Sequence, residues 1–195
     1  MKRFIAIVFG CTLAVIPMCA QTPGAINGVF TIGAAIPLGA WADQVNGSLQ
    51  VGVGGRYHFE GVALGAELLF TRGNSKSQTA LAKDGDLSSV GLVPQVFIPL
   101  FATDNWQIFG MGGYGMARVW ATRGYRTDLI PTTEGPQVET YDGSTIWQTT
   151  RPMAMVGVGW TRRTGKRLGL EVRWQRVATP GVRVTTLATC LSVAW

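Results

Sequence analysis

The sequence predicts an all-β fold, an eight-stranded antiparallel up-and-down β-barrel whose strands cross a membrane. Apolar and polar residues alternate along most of the chain after Gln21, which is the period of a strand with two different faces. Of the 195 residues, 47% are hydrophobic, only 14% are charged and 26 are glycines, whereas soluble domains average about 25% charged residues. Long polar connectors also alternate with short turns, as in barrels that span a membrane.

The N-terminal segment over 1–20 is predicted to be a cleaved secretory signal peptide. Lys2 and Arg3 precede an apolar stretch over 4–17, and Ala20 provides a small residue at the cleavage point. This apolar stretch of 14 residues is shorter than the roughly 20 residues that a membrane-spanning helix needs. We therefore expect a single barrel domain over 21–195.

The first half of the mature chain contains four predicted strands. In the second of them, Leu49 and Val53 alternate with small or polar residues, and in the third Leu64 and Leu68 flank Glu67 on the opposite face. The four strands are predicted over 27–38, 48–59, 62–72 and 87–100.

The second half contains four more predicted strands. In the seventh, Leu170 and Trp174 point one way while Glu171 and Arg173 point the other. These strands are predicted over 106–122, 146–161, 167–178 and 183–195. Long or polar connectors are expected at 39–47, 73–86 and 123–145, and short ones at 60–61, 101–105, 162–166 and 179–182. The last connector breaks the alternation of lengths by being short.

The chemistry of the two strand faces indicates which one points outward. One face carries Leu, Val, Phe and Trp, while the other carries Gly, Ala, Thr and Ser with a few ions, which suits a narrow interior. The mature chain has lysine only at Lys76, Lys83 and Lys166, all in predicted connectors. The alternative is a secreted lipocalin-like barrel with inverted faces that carries a ligand. Aromatic residues support the lipid-facing orientation because they form two levels: Tyr57, Phe59, Phe101, Trp106, Trp160 and Trp195 beside the short turns, and Trp41, Phe70, Trp120, Trp147 and Trp174 toward the long loops.

Two segments resemble small bacterial outer-membrane β-barrels of the OmpA, OmpX and opacity-protein type. The last strand places Leu187, Leu191, Val193 and Trp195 at alternating positions and ends on the aromatic residue, which resembles the C-terminal insertion signal of these proteins. The segment 33–43, GAAIPLGAWAD, is similar to the end of their first strand. The resemblance implies an outer-membrane location, contact with outer-membrane lipid, and insertion by the barrel-assembly machinery.

The inward face is expected to hold a closed polar core. Because unpaired buried charges are costly, we expect Glu67 to pair with Arg56 across a hairpin, or Glu171 to pair with Arg118 or Arg151. A proton or small-solute path, which would make the protein a narrow channel, is the alternative. The inward polar residues are predicted to be Arg56, His58, Glu67, Gln95, Arg118, Arg151, Glu171, Arg173 and Gln175.

The sequence favours a structural or surface-interaction role over catalysis. His58 is the sole histidine and no serine is placed near it by sequence, so no catalytic triad, metal site or cofactor is expected. Basic residues are scattered, which argues against nucleic-acid binding. The third loop is the best candidate surface for an unidentified surface ligand or host protein, through its apolar residues Tyr125, Leu129, Ile130 and Tyr141.

Overall fold

The computed structural model describes residues 24–43, 45–76, 86–122, 125–132, 135–142, 145–163, 167–178 and 183–195. These residues form ten strands and one short 3-10 helix, Gly39–Trp41. The strands are β1 (Ile26–Leu38), β2 (Val45–Phe59), β3 (Val62–Ser75), β4 (Asp86–Ala102), β5 (Trp106–Thr122), β6 (Tyr125–Thr132), β7 (Gly135–Asp142), β8 (Thr145–Arg162), β9 (Arg167–Ala178) and β10 (Arg183–Ala194).

Eight of these strands close into an antiparallel barrel, so the predicted fold class is confirmed. The order around the barrel is β1-β10-β9-β8-β5-β4-β3-β2, and β1 pairs with both β2 and β10. Closure leaves no open sheet edge among these eight strands. The eight predicted segments coincide with the observed barrel strands, and β2 and β3 each extend three residues further toward the loops.

The strands of the barrel are staggered. Leu38 on β1 pairs with Thr185, which pairs with Arg176, which pairs with Ala154. Following the paired residues once around the barrel in this way returns to β1 at Gly28, ten residues before Leu38. Such a stagger accompanies the tilt of strands in closed barrels. One end of the barrel carries the short connectors at 60–61, 103–105 and 163–166 and is called the turn end below. The other is the loop end.

The outer surface of the barrel is apolar. Large exposed side chains include Leu92, Val156, Leu170 and Leu191, all on the face that the alternation assigned to the exterior. Exposed aromatic residues lie at the turn end, among them Phe59, Phe101 and Trp160, and Phe70 contacts Trp120 toward the loop end. Trp147 does not belong to the outer level of aromatic residues as expected. It pairs with Ala121, whose side chain is buried, so Trp147 lies on the inward-facing side of β8. The side chain of Trp41 lies outside the described part of the chain.

The interior is only partly polar, which corrects the expectation of a polar core. The buried polar side chains lie mainly on β1, β2, β9 and β10, together with Glu67 on β3 and Gln95 on β4, while the apolar cluster is contributed mainly by β3, β4, β5 and β8. Phenylalanine and methionine fill the space beside glycines there, with Phe109 against Gly159 and Met153 against Gly91. The cluster consists of Ala63, Leu69, Val93, Phe97, Phe109, Met111, Ala117, Val119, Met153, Met155 and Val177.

Strands β6 and β7 pair only with each other and form a hairpin above the barrel. Both strands fall within the predicted long connector 123–145, so that segment contains regular structure that the sequence did not predict. Pro131 and Pro136 face each other near the hairpin tip. Within the described ranges, no helix is long and apolar enough to span a membrane. The predicted signal peptide over 1–20 lies outside the described residues.

Candidate functional site: the filled barrel interior

A chain of four charged side chains crosses the barrel interior at mid-height. Arg173 is fully buried, and its Nη1 lies 3.0 Å from Oε2 of Glu67 while its Nε donates to Oε2 of Glu171 at 2.9 Å. Arg56 donates from Nη2 to Oε1 of Glu171 at 2.8 Å. Two cations and two anions therefore alternate, and each carboxylate is bound by at least one guanidinium.

Neutral groups complete the hydrogen bonding of Glu67. The Thr31 hydroxyl donates to Oε1 at 2.6 Å, and the Gln95 amide donates to Oε2 at 2.9 Å. A glycine is needed beside this carboxylate, because a Cβ at Gly52 would collide with Glu67 Oε1 and the Thr31 hydroxyl. Sequence position 52 thus provides the space that the ion-pair chain occupies.

Two glutamines join across the interior on the loop side of the charged chain. Gln50 donates to Oε1 of Gln175 at 2.8 Å, and Gln175 donates back to Oε1 of Gln50 at 3.0 Å. Gln175 also contacts the sulfur of Met155, and the Cys190 thiol lies 3.5 Å from Gln50 Oε1. The middle of the barrel is therefore filled from wall to wall by bonded side chains.

Small cavities remain above and below this filled level. The one at the turn end has a volume of about 50 Å³ and is lined by Arg56, His58, Phe97 and Phe109, among others. The one at the loop end has a volume of about 40 Å³. Each has room for about one or two water molecules, so neither forms a solute-sized passage.

The structure places Arg56, His58, Glu67, Glu171 and Arg173 in the interior, but the expected pairing of Glu67 with Arg56 was wrong. Arg56 lies opposite Gly65 and its guanidinium stacks over the Phe97 ring at 4.0 Å, which directs it to Glu171 on the far wall. Glu67 binds Arg173 instead. Both pairs form across the barrel rather than within a hairpin.

The interior placement of Arg118 was also wrong. Its neighbours Ala117 and Val119 are 2% and 1% exposed and point inward, so Arg118 points outward and donates to Oε1 of Gln148. Glycine and apolar residues occur on both faces of this strand, which hid the phase from the sequence. Arg151 is half-buried and donates to the Thr149 hydroxyl at 3.1 Å. It forms none of the expected contacts with Glu171.

The end of the chain closes the barrel against β1. The backbone of Trp195 exchanges two hydrogen bonds with Gly28, at 3.1 and 3.2 Å. A Cβ at Gly28 would meet the Trp195 ring, so the glycine lets the indole lie over the seam. Leu187, Leu191 and Trp195 are exposed on the outer surface, and Val193 alternates in phase with them.

The β6–β7 hairpin contains the predicted contact residues Tyr125, Leu129, Ile130 and Tyr141. Their side chains lie outside the described part of the structure. Val138, which pairs with Leu129, is largely exposed. The hairpin thus extends β5 and β8 beyond the barrel rim.

Within the described ranges, no group of three or more His, Cys, Asp or Glu side chains is arranged to hold a metal ion. His58 lies near the turn end and lines the cavity there. No serine hydroxyl lines the same cavity.

No protein-family model matches the chain, and no curated protein sequence is significantly similar to it. The barrel is similar to the solved structure of Neisserial surface protein A (NspA), with a TM-score of 0.52 and 13% identity over 87% of this chain and 94% of that one. At that identity the likeness establishes the fold, an eight-stranded barrel of the outer-membrane type.

Two further solved structures are similar at lower TM-scores. Ail, the attachment invasion locus protein of Yersinia pestis, in complex with the heparin analogue sucrose octasulfate, has a TM-score of 0.48 and 13% identity over 89% of this chain and 100% of that one. The outer membrane enzyme PagL has a TM-score of 0.47 and 14% identity over 86% of this chain and 97% of that one.

Proposed function

We propose that this protein is a bacterial outer-membrane β-barrel with a closed interior that acts at the cell surface through its loops. The observation that carries the proposal is the combination of an apolar exterior with a buried, paired chain of charges inside the barrel. A secreted ligand-carrying barrel would have the opposite arrangement. The signal peptide over 1–20 and the outward C-terminal residues 187–195 are proposed to direct export and insertion.

The length of the strands supports a membrane-spanning role. A tilted strand needs about 9–11 residues to cross the hydrocarbon layer, and the barrel strands are 12 to 18 residues long. The extra residues lie mostly at the loop end, where β5 and β8 continue into the β6–β7 hairpin. We therefore place the turn end in the periplasm and the loop end outside the cell.

The filled interior supports a closed barrel over a narrow channel. A channel needs a continuous polar path, whereas Arg173 binds both Glu67 and Glu171 at mid-height and the apolar cluster fills much of the remaining interior. An eight-stranded barrel is just wide enough to be filled by its own side chains.

Surface interaction is assigned to the β6–β7 hairpin, which connects β5 to β8 at the loop end. Its backbone edges have no barrel partner among the described residues, and Val138 presents an apolar side chain to solvent. Such exposed, projecting segments on a rigid scaffold commonly bind partners. The proposal includes no catalytic role, because His58 lies inside the barrel and, among the described residues, no serine lines the cavity beside it.

Three measurements test the proposal together. Cell fractionation should recover the mature chain in the outer membrane. Protease added to intact cells should cleave this protein within 123–145 and not at the short turns. Planar bilayers should show no steady conductance. Recovery in the soluble periplasm, cleavage at the turn end, or a steady single-channel current would each contradict it.

A loop replacement separates the scaffold from the interaction. Replacing 125–142 by a short Gly-Asn turn should leave insertion intact and abolish binding to whole-cell or matrix ligands. The matched control replaces 103–105, at the turn end, by a turn of equal length. A barrel that binds equally well with either replacement would contradict the role of the hairpin.

A further inference from the structure

Beyond the function proposed above, and resting on its membrane orientation, we propose that the outer wall of β5, β8 and β9 binds the phosphorylated headgroup of an outer-leaflet lipid. The binding residues form the arginine patch, defined as Arg118, Gln148, Thr150 and Arg176. All four are exposed on the outward face, although a lipid-facing wall is otherwise apolar.

Strand phase places both arginines on the outer wall. Arg118 lies between the buried Ala117 and Val119, and Arg176 lies between Gln175 and Val177, which are 4% and 6% exposed. Each arginine therefore points away from the interior. Thr150 pairs directly with Arg118, so the patch continues from β5 onto β8.

Strand length places the patch at the level of the headgroups. Trp106, Trp160 and Leu168 lie at the turn end, and Arg118, Thr150 and Arg176 follow or precede them by 12, 10 and 8 residues along their own strands. About 9–11 residues cross the hydrocarbon layer. Arg118 and Thr150 thus lie at its outer boundary, and the long side chain of Arg176 can extend to that boundary from just inside it.

The chemistry of the patch selects a phosphate. Arg118 donates to the neutral amide oxygen of Gln148, and the described residues offer neither arginine a carboxylate. By contrast Arg72, at the same end of β3, forms an ion pair with Asp86. Arg176 pairs with Ala154, four residues from Thr150 on β8, so the two arginines are separate positions on the same wall. A guanidinium binds phosphate through paired N–H donors, so each of them can bind an anionic headgroup, whereas Arg72 is already paired.

The outer surface on the turn side of the patch is apolar and suits the acyl chains of a lipid. On the turn side of the patch, Met116 lies two residues from Arg118, and Val156 and Leu170 lie six residues from Thr150 and Arg176; all three are exposed. A cationic rim above a continuous apolar wall matches an amphiphile with a charged head and apolar chains. An acidic protein segment would not need the apolar part.

The test measures lipid selectivity of the whole barrel. The mature protein is reconstituted in phosphatidylcholine bilayers that contain either spin-labelled phosphatidic acid or spin-labelled phosphatidylcholine, and the motionally restricted fraction of each label is compared. Because a basic residue near a membrane surface gains about fivefold in anionic-lipid binding, we expect several-fold selectivity for phosphatidic acid. Replacing Arg118→Gln together with Arg176→Gln should bring the ratio close to one.

Controls separate the alternatives. Arg72→Gln should leave the ratio unchanged, and inorganic phosphate at matched ionic strength should not displace the lipid. A ratio of one in the wild type, an unchanged ratio in the double variant, or equal displacement by inorganic phosphate would each overturn the inference. Insertion is scored on the same samples by heat-modifiable migration. An inserted barrel without selectivity contradicts this inference alone, whereas a barrel that fails to insert contradicts the proposed function.

Discussion

Arg173 lies between two carboxylates, with its Nη1 3.0 Å from Glu67 Oε2 and its Nε 2.9 Å from Glu171 Oε2. Neither carboxylate is its neighbour on an adjacent strand: Glu67 is across the barrel and Glu171 is two residues away on the same strand. The guanidinium therefore ties the β3 wall to the β9 wall. Because all three groups are buried, the stability of the barrel depends on their charges remaining matched.

Glu67→Gln should destabilise the barrel. The substitution keeps the shape of the side chain but leaves Arg56 and Arg173 with one carboxylate between them, and breaking a buried pair typically costs about 3–5 kcal/mol. Water in the small cavities can partly hydrate the unpaired guanidinium, so the loss of stability should lie within or below that range. The free energy of unfolding is measured by urea titration in detergent micelles, with Glu60→Gln at the exposed turn as the control. Equal stability of the two variants would contradict the closed, charge-matched interior.

A double-mutant cycle should show that Glu67 and Arg173 act as a pair. Arg173→Met alone should destabilise the barrel because it leaves two buried carboxylates with Arg56, while adding Glu67→Gln to it should restore part of the loss. Contacting residues show coupling energies of about 0.5–3 kcal/mol. The same urea titrations measure it. Additive losses in the double variant would show that the contact carries no energy.

The barrel exterior should tolerate arginine according to depth. Val96 lies mid-strand on the outer face, is 41% exposed, and pairs with Gly112 six residues from Trp106, so Val96→Arg should cost about 2–4 kcal/mol near the midplane. Thr150→Arg, on the same face at the loop end, should cost about 0–1 kcal/mol. Folding equilibria in phospholipid vesicles provide both values. A similar cost at the two positions would contradict the proposed depth of the membrane.

The strands could be predicted from the sequence because their signals are local. Alternation places Leu170 and Glu171 on opposite faces whatever surrounds them, and the bulk of the outward residues tells the faces apart. The partners of Arg56 could not be predicted, since its contact with Glu171 spans the lumen between residues 115 positions apart. Nor could the phase of Arg118, because its strand carries glycine on both faces.

The interior and the hairpin show the same limit. The apolar half of the core, with Phe97 and Met155, depends on which walls face each other after closure. The hairpin of β6 and β7 contains prolines that normally argue against a central strand, but both of its strands are edges, and Pro131 pairs with Pro136 near its tip. Local sequence patterns predict the strands, whereas contacts across the barrel can be predicted only when the stagger of the strands is known.

The final prediction concerns closure at Trp195. Its backbone completes the pairing with Gly28 and its exposed indole lies over that residue, so the aromatic side chain covers the seam where the last strand meets the first. Trp195→Asp would place a charge at this apolar seam and should leave the protein in the periplasm, whereas Trp195→Phe should insert normally because it keeps an apolar ring. Outer-membrane fractions and heat-modifiable migration distinguish these results. If Trp195→Asp inserted as well as Trp195→Phe, the indole would have no role in closure, and the outward alternation of Leu187, Leu191 and Val193 alone would have to direct insertion.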